Sequence, residues 1–109
     1  MPRPLPTLKK RRDFLAMNRA DRWVTNGFIL QYAPGSGAVG YTVTKKVGNA
    51  VVRNRVKRRL RAIASTVLQP EEATMVLIGR PGAQDMPFKT LEKDLRWALK
   101  RVKQRVQAP

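Results

Sequence analysis

The most constraining feature of this sequence is a stretch, residues 45–61, that contains eight basic residues and no acidic one. Apolar residues recur through this stretch and just beyond it, at Val52, Val56, Leu60, Ile63 and Val67. Their spacing of three and four residues is the period of an α-helix, and it places the five side chains along one stripe. The sequence therefore predicts a helix that buries one face and presents a strongly cationic one.

Both ends of this helix carry sequence signals, which set its bounds at residues 50–67. Asn49 is a favoured N-cap, because its side-chain oxygen can accept a hydrogen bond from a free backbone N–H. Pro70 cannot continue a helix. The free N–H groups and the dipole at the N-terminus favour a phosphate, and Lys45 and Lys46 lie close to the same end.

The cationic face is the clearest indication of a ligand. Arg53, Lys57 and Arg61 form a column at i, i+4 spacing, with Asn54 and Arg58 beside them. Like charges at this spacing destabilise a helix by roughly 0.2–0.5 kcal/mol per pair. The helix contains no acidic residue to offset them, so the pattern favours phosphates between the cations. The alternative is a solvated face whose aliphatic stems cover apolar surface.

The other segments predict a small α+β domain. A first helix over residues 7–18, with Thr7 as N-cap, precedes strands over 28–32 and 39–44. After the basic helix, a strand over 74–78 and a helix over 88–106 complete an α-β-β-α-β-α order. We expect helices packed on a small mixed sheet in one domain, residues 8–109, after a flexible, basic and proline-rich arm, residues 1–7. Trp23 and Trp97 are predicted to be packing residues.

Composition indicates a polyanionic partner. Lys and Arg number 23 against 7 Asp and Glu, which gives a formal net charge of +16. Solubility of a small domain needs only about 2–8 net charges. The basic residues also fall in three blocks, residues 1–12, 45–61 and 89–105, and such clustering is typical of nucleic-acid binding.

Composition also excludes several chemistries. The chain has no cysteine and no histidine, which removes disulfides, thiolate metal sites and the usual general base. Protein nucleases that use metal ions need clustered carboxylates, whereas Glu92 and Asp94 are two residues apart and do not share a helix face. We therefore expect no catalytic residue and no metal site in this protein. Without an apolar span of roughly 20 residues or a secretory signal, a cytoplasmic location is expected.

One segment closely resembles the signature of a known family. Residues 43–58 read VTKKVGNAVVRNRVKR, and they resemble the signature of the bacterial ribonuclease P protein family, whose core is the Arg53-Asn54-Arg55 triplet. Weaker similarity extends to the first helix, to Phe28-Ile29-Leu30 and to residues 76–80. The resemblance implies an α+β fold with a left-handed crossover connection, which the general right-handed preference would not predict.

The resemblance also implies a function and two partners. Such a protein is one subunit of an endoribonuclease that removes the 5′ leader of precursor tRNA, with one protein expected per catalytic RNA. The chemistry belongs to the RNA and to Mg²⁺ that is bound chiefly by the RNA. By this resemblance, the residues that contact the catalytic RNA are Lys45, Lys46, Asn49, Arg53, Asn54, Arg55, Lys57, Arg58 and Arg61.

A cleft between the first helix and the sheet is implied to hold the single-stranded leader, with Lys10, Phe14, Asn18, Gln31 and Thr44 as its residues. Asn18 and Gln31 stand where the family often has aromatic residues. Stacking on an aromatic ring is worth about 1–3 kcal/mol per base, so this cleft should depend more on hydrogen bonds and charge. Phe14 has an alternative role as a core residue.

Two other functions remain from composition alone. A small ribosomal protein would be equally basic, and only the Arg-Asn-Arg signature favours the ribonuclease P subunit over it. A DNA-binding protein with a basic recognition helix is the third candidate. The sequence lacks helix-turn-helix spacing, a zinc ligand set and a zipper heptad, which argues against it.

Overall fold

The chain forms three helices and four strands within residues 5–35, 37–68 and 73–107, which are the residues that the computed structural model describes. The side chains of residues 106 and 107 are outside this description. In chain order the elements are α1 (Arg11–Ala16), β1 (Asp21–Val24), β2 (Phe28–Pro34), β3 (Val39–Thr42), α2 (Ala50–Val67), β4 (Ala73–Gly79) and α3 (Phe88–Gln107). Single 3₁₀ turns follow α1, at Met17–Arg19, and precede α3, at Ala83–Asp85.

The strands form one mixed sheet in the order β1-β2-β4-β3. Antiparallel pairing joins β1 to β2 and β2 to β4, whereas β3 and β4 are parallel. A parallel pair needs a crossover connection, and α2 supplies it. These features confirm the predicted α+β class and the mixed sheet. The left-handed sense of the crossover stays a prediction from the resemblance.

One face of the sheet carries the core. Phe28, Leu30, Met75 and Leu77 are fully or almost fully buried there, against the apolar stripe of α2 and the inner face of α3. Burying one such side chain stabilises the fold by roughly 1.5–3 kcal/mol. The two helices lie side by side on this face, α2 over β3 and β4, and α3 over β1 and β2.

The opposite face of the sheet receives α1. Side chains alternate along a strand, so Gly40 faces away from the side that carries Val39. The Phe14 ring lies directly on Gly40, where an added Cβ would come within 2.5 Å of Cε1. Met17, in the turn after α1, is 3% exposed. These two side chains anchor a helix of only six residues.

The predicted start of α1 and its N-cap are wrong. The helix begins at Arg11, and Thr7 forms a parallel bridge with Val39 instead of capping. The Leu8 N–H donates to the Val39 carbonyl (3.0 Å), and the Val39 N–H donates to the Pro6 carbonyl (2.8 Å). The edge strand β3 has backbone groups that the sheet leaves unpaired, and residues 6–8 satisfy them in an extended conformation.

Other corrections concern the ends and number of strands. No sequence pattern indicated β1, a short edge strand with alternate residues exposed, so the order is α-β-β-β-α-β-α. The strand predicted over 39–44 ends at Thr42, because a turn follows in which the Val47 N–H donates to the Thr44 carbonyl at 3.1 Å. Trp97 is 48% exposed and is not a packing residue, whereas Trp23 packs against the core.

The basic helix is confirmed in full. It spans Ala50–Val67, as predicted, and the Asn49 side chain accepts a hydrogen bond from the Val52 N–H at 3.0 Å. The strand predicted at 74–78 and the helix predicted at 88–106 are each extended by one residue at one end or both. Pro70 and residues 1–4 of the predicted arm lie outside the described residues. The division into arm and domain stays a prediction, with Pro6 and Thr7 in contact with β3.

Replacing Asn49 by Ala should destabilise the protein by about 0.5–2 kcal/mol, because α2 then has no side-chain cap. Asn49→Asp keeps an oxygen acceptor and should retain most of the stability. Urea denaturation followed by circular dichroism measures both. Equal stability of the two variants would contradict a capping role for Asn49.

Gly40→Ala should destabilise the fold by about 1–3 kcal/mol, the usual effect of overpacking, because the new methyl group meets the Phe14 ring and Leu8. The double variant Gly40→Ala/Phe14→Ala removes the collision, so the effect of the methyl group should be much smaller in that background. Urea midpoints of the four proteins give this coupling, and additive effects would contradict the packing of Phe14 on Gly40.

Candidate nucleic-acid interface

The exposed side of α2 carries a dense cluster of cationic side chains. Val56, Leu60 and Ile63 are fully buried on the sheet side of the helix, which holds the opposite side in solvent. Asn54, Arg58 and Arg61 are exposed there and Lys57 is half-buried. They surround a groove of about 450 Å³ with Val51, which is 75% exposed. No acidic residue of α2 neutralises this face.

One flank of α2 forms the wall of a second, larger cleft. Lys57 and Arg61 point from this flank toward the open edge of β3, beyond the point where residues 6–8 pair with it. The cleft has a volume of about 530 Å³ and is lined by Thr7, Leu8, Lys9, Phe14, Tyr41, Thr42, Val43, Lys57 and Arg61. The fold thus joins α1, β3 and α2 around one cationic concavity.

Phe14 is the aromatic residue that α1 brings to this cleft. Its ring is half-buried because one side lies on Gly40, while the ring still forms part of the lining. It therefore serves both of the roles considered from the sequence, packing and cleft lining. An aromatic surface beside cations is the combination that holds unpaired bases and phosphates together.

Tyr41 contacts Arg61 at the same cleft. The Arg61 guanidinium lies 5.6 Å from the centroid of the Tyr41 ring, within the range of a cation–π contact. Burial raises the pKa of the Tyr41 phenol above its ordinary value of 10.0, and the positive charge of Arg61 partly opposes this rise. The phenol is therefore neutral at physiological pH and can donate a hydrogen bond to a ligand.

Arg53 occupies a narrower position on the same flank. It is half-buried and, with Val43, Ala50, Asn54 and Lys57, lines a small groove. Its Nε is buried without a hydrogen-bond partner. Because part of its side chain is buried, Arg53 contributes to packing as well as to the charge of this flank.

The turn before α2 places more cations at the N-terminus of the helix. Lys45 and Lys46 are exposed in this turn, which the Gly48 N–H closes by donating to the Lys45 carbonyl at 3.2 Å. Asn49 is exposed as well, but its side-chain oxygen is engaged in the cap. Its amide NH₂ is the group that could donate to RNA.

Several predicted residues are not brought to either concavity. Arg55 is exposed about 160° around α2 from Lys57, on the flank that faces α3. Lys10, Asn18 and Thr44 are exposed but do not line the cleft. Gln31 lies on the Phe14 side of the sheet, opposite Val76, and is 3% exposed, which leaves almost no surface for a direct contact. The roles of these residues stay predictions.

The structure also adds cleft residues that the sequence did not indicate. The sequence indicated Tyr41 and Thr42 only as residues of an alternating strand. It indicated Lys9 only as one residue of the basic block at 1–12. Their placement depends on the pairing of residues 6–8 with β3. Arg59, in contrast, is structural, because its guanidinium donates to the Met86 carbonyl ahead of α3.

The acidic residues that the structure describes do not cluster around a possible metal ion. In the described ranges, no group of three or more Asp, Glu, His or Cys side chains could hold one. The carboxylates in these ranges therefore do not fit a Mg²⁺ site. None of the described helices combines the length and apolarity that crossing a membrane requires.

Comparisons with known proteins agree with the resemblance noted in the sequence. The sequence profile of the family described as Ribonuclease P matches residues 3–103. The ribonuclease P protein component of Paramagnetospirillum magneticum is 46% identical, covering 90% of this chain and 83% of that protein. The corresponding protein of Erythrobacter litoralis is 43% identical, with 89% and 85% covered.

Solved structures give the same result at the level of the fold. The RNase P protein of Staphylococcus aureus superposes with a TM-score of 0.72 at 26% identity, covering 89% of this chain and 94% of that one. The RNase P protein of Thermotoga maritima gives 0.71 at 26% identity, covering 90% and 96%. Because the family profile spans most of the sequence and curated relatives exceed 40% identity, this chain belongs to the Ribonuclease P protein family.

Proposed function

We propose that this chain is the RNA-binding protein subunit of a tRNA-processing endoribonuclease, in which it binds a catalytic RNA and the 5′ leader of precursor tRNA. The observation that carries the proposal is the flank of α2 formed by Lys57 and Arg61. These two residues line both the groove on the exposed side of α2, which we call the outer groove, and the cleft that Phe14 lines. A single cationic wall between two concavities suits a protein that lies between two RNA molecules.

The catalytic RNA is assigned to the outer face of α2 and the turn before it. Arg and Lys side chains there can neutralise phosphates and release the counterions that surround RNA. Arg58 and Asn54 project from the helix into the groove, and Lys45 and Lys46 extend the charge past its N-terminus. Because the helix itself supplies no acidic partner for these cations, binding phosphates would also relieve their mutual repulsion.

The leader is assigned to the cleft between α1, β3 and α2. A single strand can offer bases to the Phe14 ring and phosphates to Lys57, Arg61 and Lys9, which line the same space. A duplex would keep its bases stacked internally and could not use the ring in this way. The half-buried Tyr41 and Thr42 hydroxyls add hydrogen-bonding groups, and specificity for the leader would come from them.

Chemistry is assigned to the catalytic RNA and to Mg²⁺ bound chiefly by that RNA. This chain has no histidine, and the described residues hold no carboxylate cluster. The protein contributes by binding and positioning: it lowers the repulsion between the two RNAs and orients the leader. We place this activity in the cytoplasm, with one protein per catalytic RNA.

The double variant Lys57→Ala/Arg61→Ala should bind the catalytic RNA much more weakly than the wild-type protein at the same salt concentration. The slope of log K against log salt should also become shallower, by about 0.7–0.9 for each phosphate that is no longer neutralised. Filter binding across a salt series measures both quantities. These two residues are preferable to Arg53, whose partly buried side chain also contributes to packing.

The matched control for this test is Arg22→Ala/Lys89→Ala. It removes the same charge from two exposed residues that line neither the cleft nor the outer groove of α2. The affinity of this control for the catalytic RNA should fall only slightly, because the net positive charge that attracts RNA is lower. Equal losses of affinity in the two double variants would show that net charge, and not this wall, determines binding. A preference for ribosomal RNA or DNA over the catalytic RNA would overturn the function itself.

Phe14→Leu should weaken binding of precursor tRNA by about 1–3 kcal/mol in the reconstituted ribonucleoprotein, because an apolar contact with Gly40 remains but base stacking does not. Mature tRNA, which has no leader, should bind the variant and the wild type equally. Cleavage of a precursor at low Mg²⁺ under single-turnover conditions gives the corresponding rates. If the variant bound both tRNAs more weakly by the same factor, Phe14 would not contact the leader.

A further inference from the structure

The outer face of α3 carries an aromatic residue that the core does not use. Leu91, Leu95 and Val102 are fully buried along the inner side of this helix. Trp97 lies about 160° around the helix from Leu95, and it is 48% exposed. About half of the Trp97 side chain is therefore open to solvent and available to a ligand.

Cations surround this tryptophan at the spacings that bring helix neighbours together. Lys93 precedes it by four residues, and Lys100 and Arg101 follow by three and four. The Arg101 guanidinium lies 4.2 Å from the centroid of the Trp97 ring and covers one side of it. We call Lys93, Trp97, Lys100 and Arg101 the α3 platform.

A groove of about 450 Å³ adjoins the ring, lined by Trp97 together with Lys93, Asp94, Arg96 and Lys100. Arg96 is neutralised by Glu92, with 2.8 Å between Nη2 and Oε1, and Asp94 contributes one negative charge. The net charge around the platform is therefore positive, because its three cations outnumber the single carboxylate of Asp94. An anionic ligand with a flat, apolar surface would complement both features.

The α3 platform is separate from the interface described above. Helix α3 lies over β1 and β2, whereas the cleft is at the free edge of β3. The flank of α2 that faces α3 includes Arg59, which is bound to the Met86 carbonyl. No platform residue lines the cleft or the outer groove of α2.

We propose that the α3 platform is a second RNA-binding surface, which holds a single-stranded segment with an unpaired base stacked on Trp97 and its flanking phosphates beside Lys93 and Lys100. Single-stranded RNA offers a base face and negative charge together, whereas a duplex offers only phosphates. Arg101 fixes the indole, and its planar guanidinium can itself stack on a base. Helices that lie on membranes have a broad apolar face, whereas the described outer face of α3 is cationic around Trp97.

The two RNA surfaces would bind different segments at the same time. This inference goes beyond the proposed function, because the platform needs no catalytic RNA to bind. The occupant that we propose is a separate single-stranded RNA, which the far side of the protein would hold independently of the strand in the cleft.

The test uses the full chain with Lys57→Ala/Arg61→Ala, which weakens the first interface, and a fluorescently labelled single-stranded oligoadenylate as the probe. Adding Trp97→Ala should lower the affinity roughly 5- to 150-fold, the effect of losing one stacked base. Trp97→Phe should restore part of it. Since Trp97 is half exposed, its replacement should leave the midpoint of urea denaturation nearly unchanged.

A direct readout is the quenching of tryptophan emission by the bases. Quenching should occur in the Lys57→Ala/Arg61→Ala protein. It should disappear when Trp97→Phe is added, because the remaining tryptophan, Trp23, is not part of the platform. Three results would overturn the proposal: unchanged affinity in Trp97→Ala, equal dependence on Trp97 for the same oligonucleotide in a duplex, or equal Trp97-dependent binding of polyglutamate or of phosphatidylserine vesicles. Affinity for the catalytic RNA, measured in parallel, reports separately on the first interface.

Discussion

The constraint on which the rest of the structure depends is the opposition between the two sides of α2. Its cations repel one another along the helix and have no acidic neighbour within it. Val56, Leu60 and Ile63, all fully buried, hold the helix against the sheet despite this repulsion. Burying each such side chain stabilises the fold by roughly 1.5–3 kcal/mol. Each like-charge pair destabilises the helix by only about 0.2–0.5 kcal/mol, so the stabilisation by burial is larger. Packing thus permits a surface that isolated helix formation would disfavour.

The topology of the sheet then determines where this charge acts. The crossover from β3 to β4 lays α2 along the edge strand, so that Lys57 and Arg61 overhang the free edge of β3. Residues 6–8 pair with that edge and turn the chain into α1, which brings Phe14 to the other side of the same opening. Local charge and nonlocal pairing therefore build the cleft together, and neither would form it alone.

This division explains what could be predicted from the sequence. The bounds and cap of α2 depend on residues within a few positions of one another, and they were confirmed without correction. The cleft residues Tyr41 and Thr42 depend on pairing between segments far apart in the chain, which no periodicity reveals. Gln31 shows the same limit: a polar side chain that was predicted to line the cleft is almost fully buried in β2, which contacts the 3₁₀ turn after α1. Residue type indicated a nucleic acid as the ligand, whereas only the packing of the chain shows which surfaces are open to one.

The structure also shows that the net charge of +16 overstates the surface available to RNA. Arg59 and Arg80 donate to the backbone carbonyls of Met86 and Thr25, and Arg105 donates to the Arg22 carbonyl. These arginines connect helices, strands and loops, since a guanidinium can reach several acceptors from a long stem. The cations that remain available to phosphates are therefore those whose side chains do not donate to backbone carbonyls. For α2, that face is continuous with the cleft, so the two RNA sites that we propose share Lys57 and Arg61 of one helix.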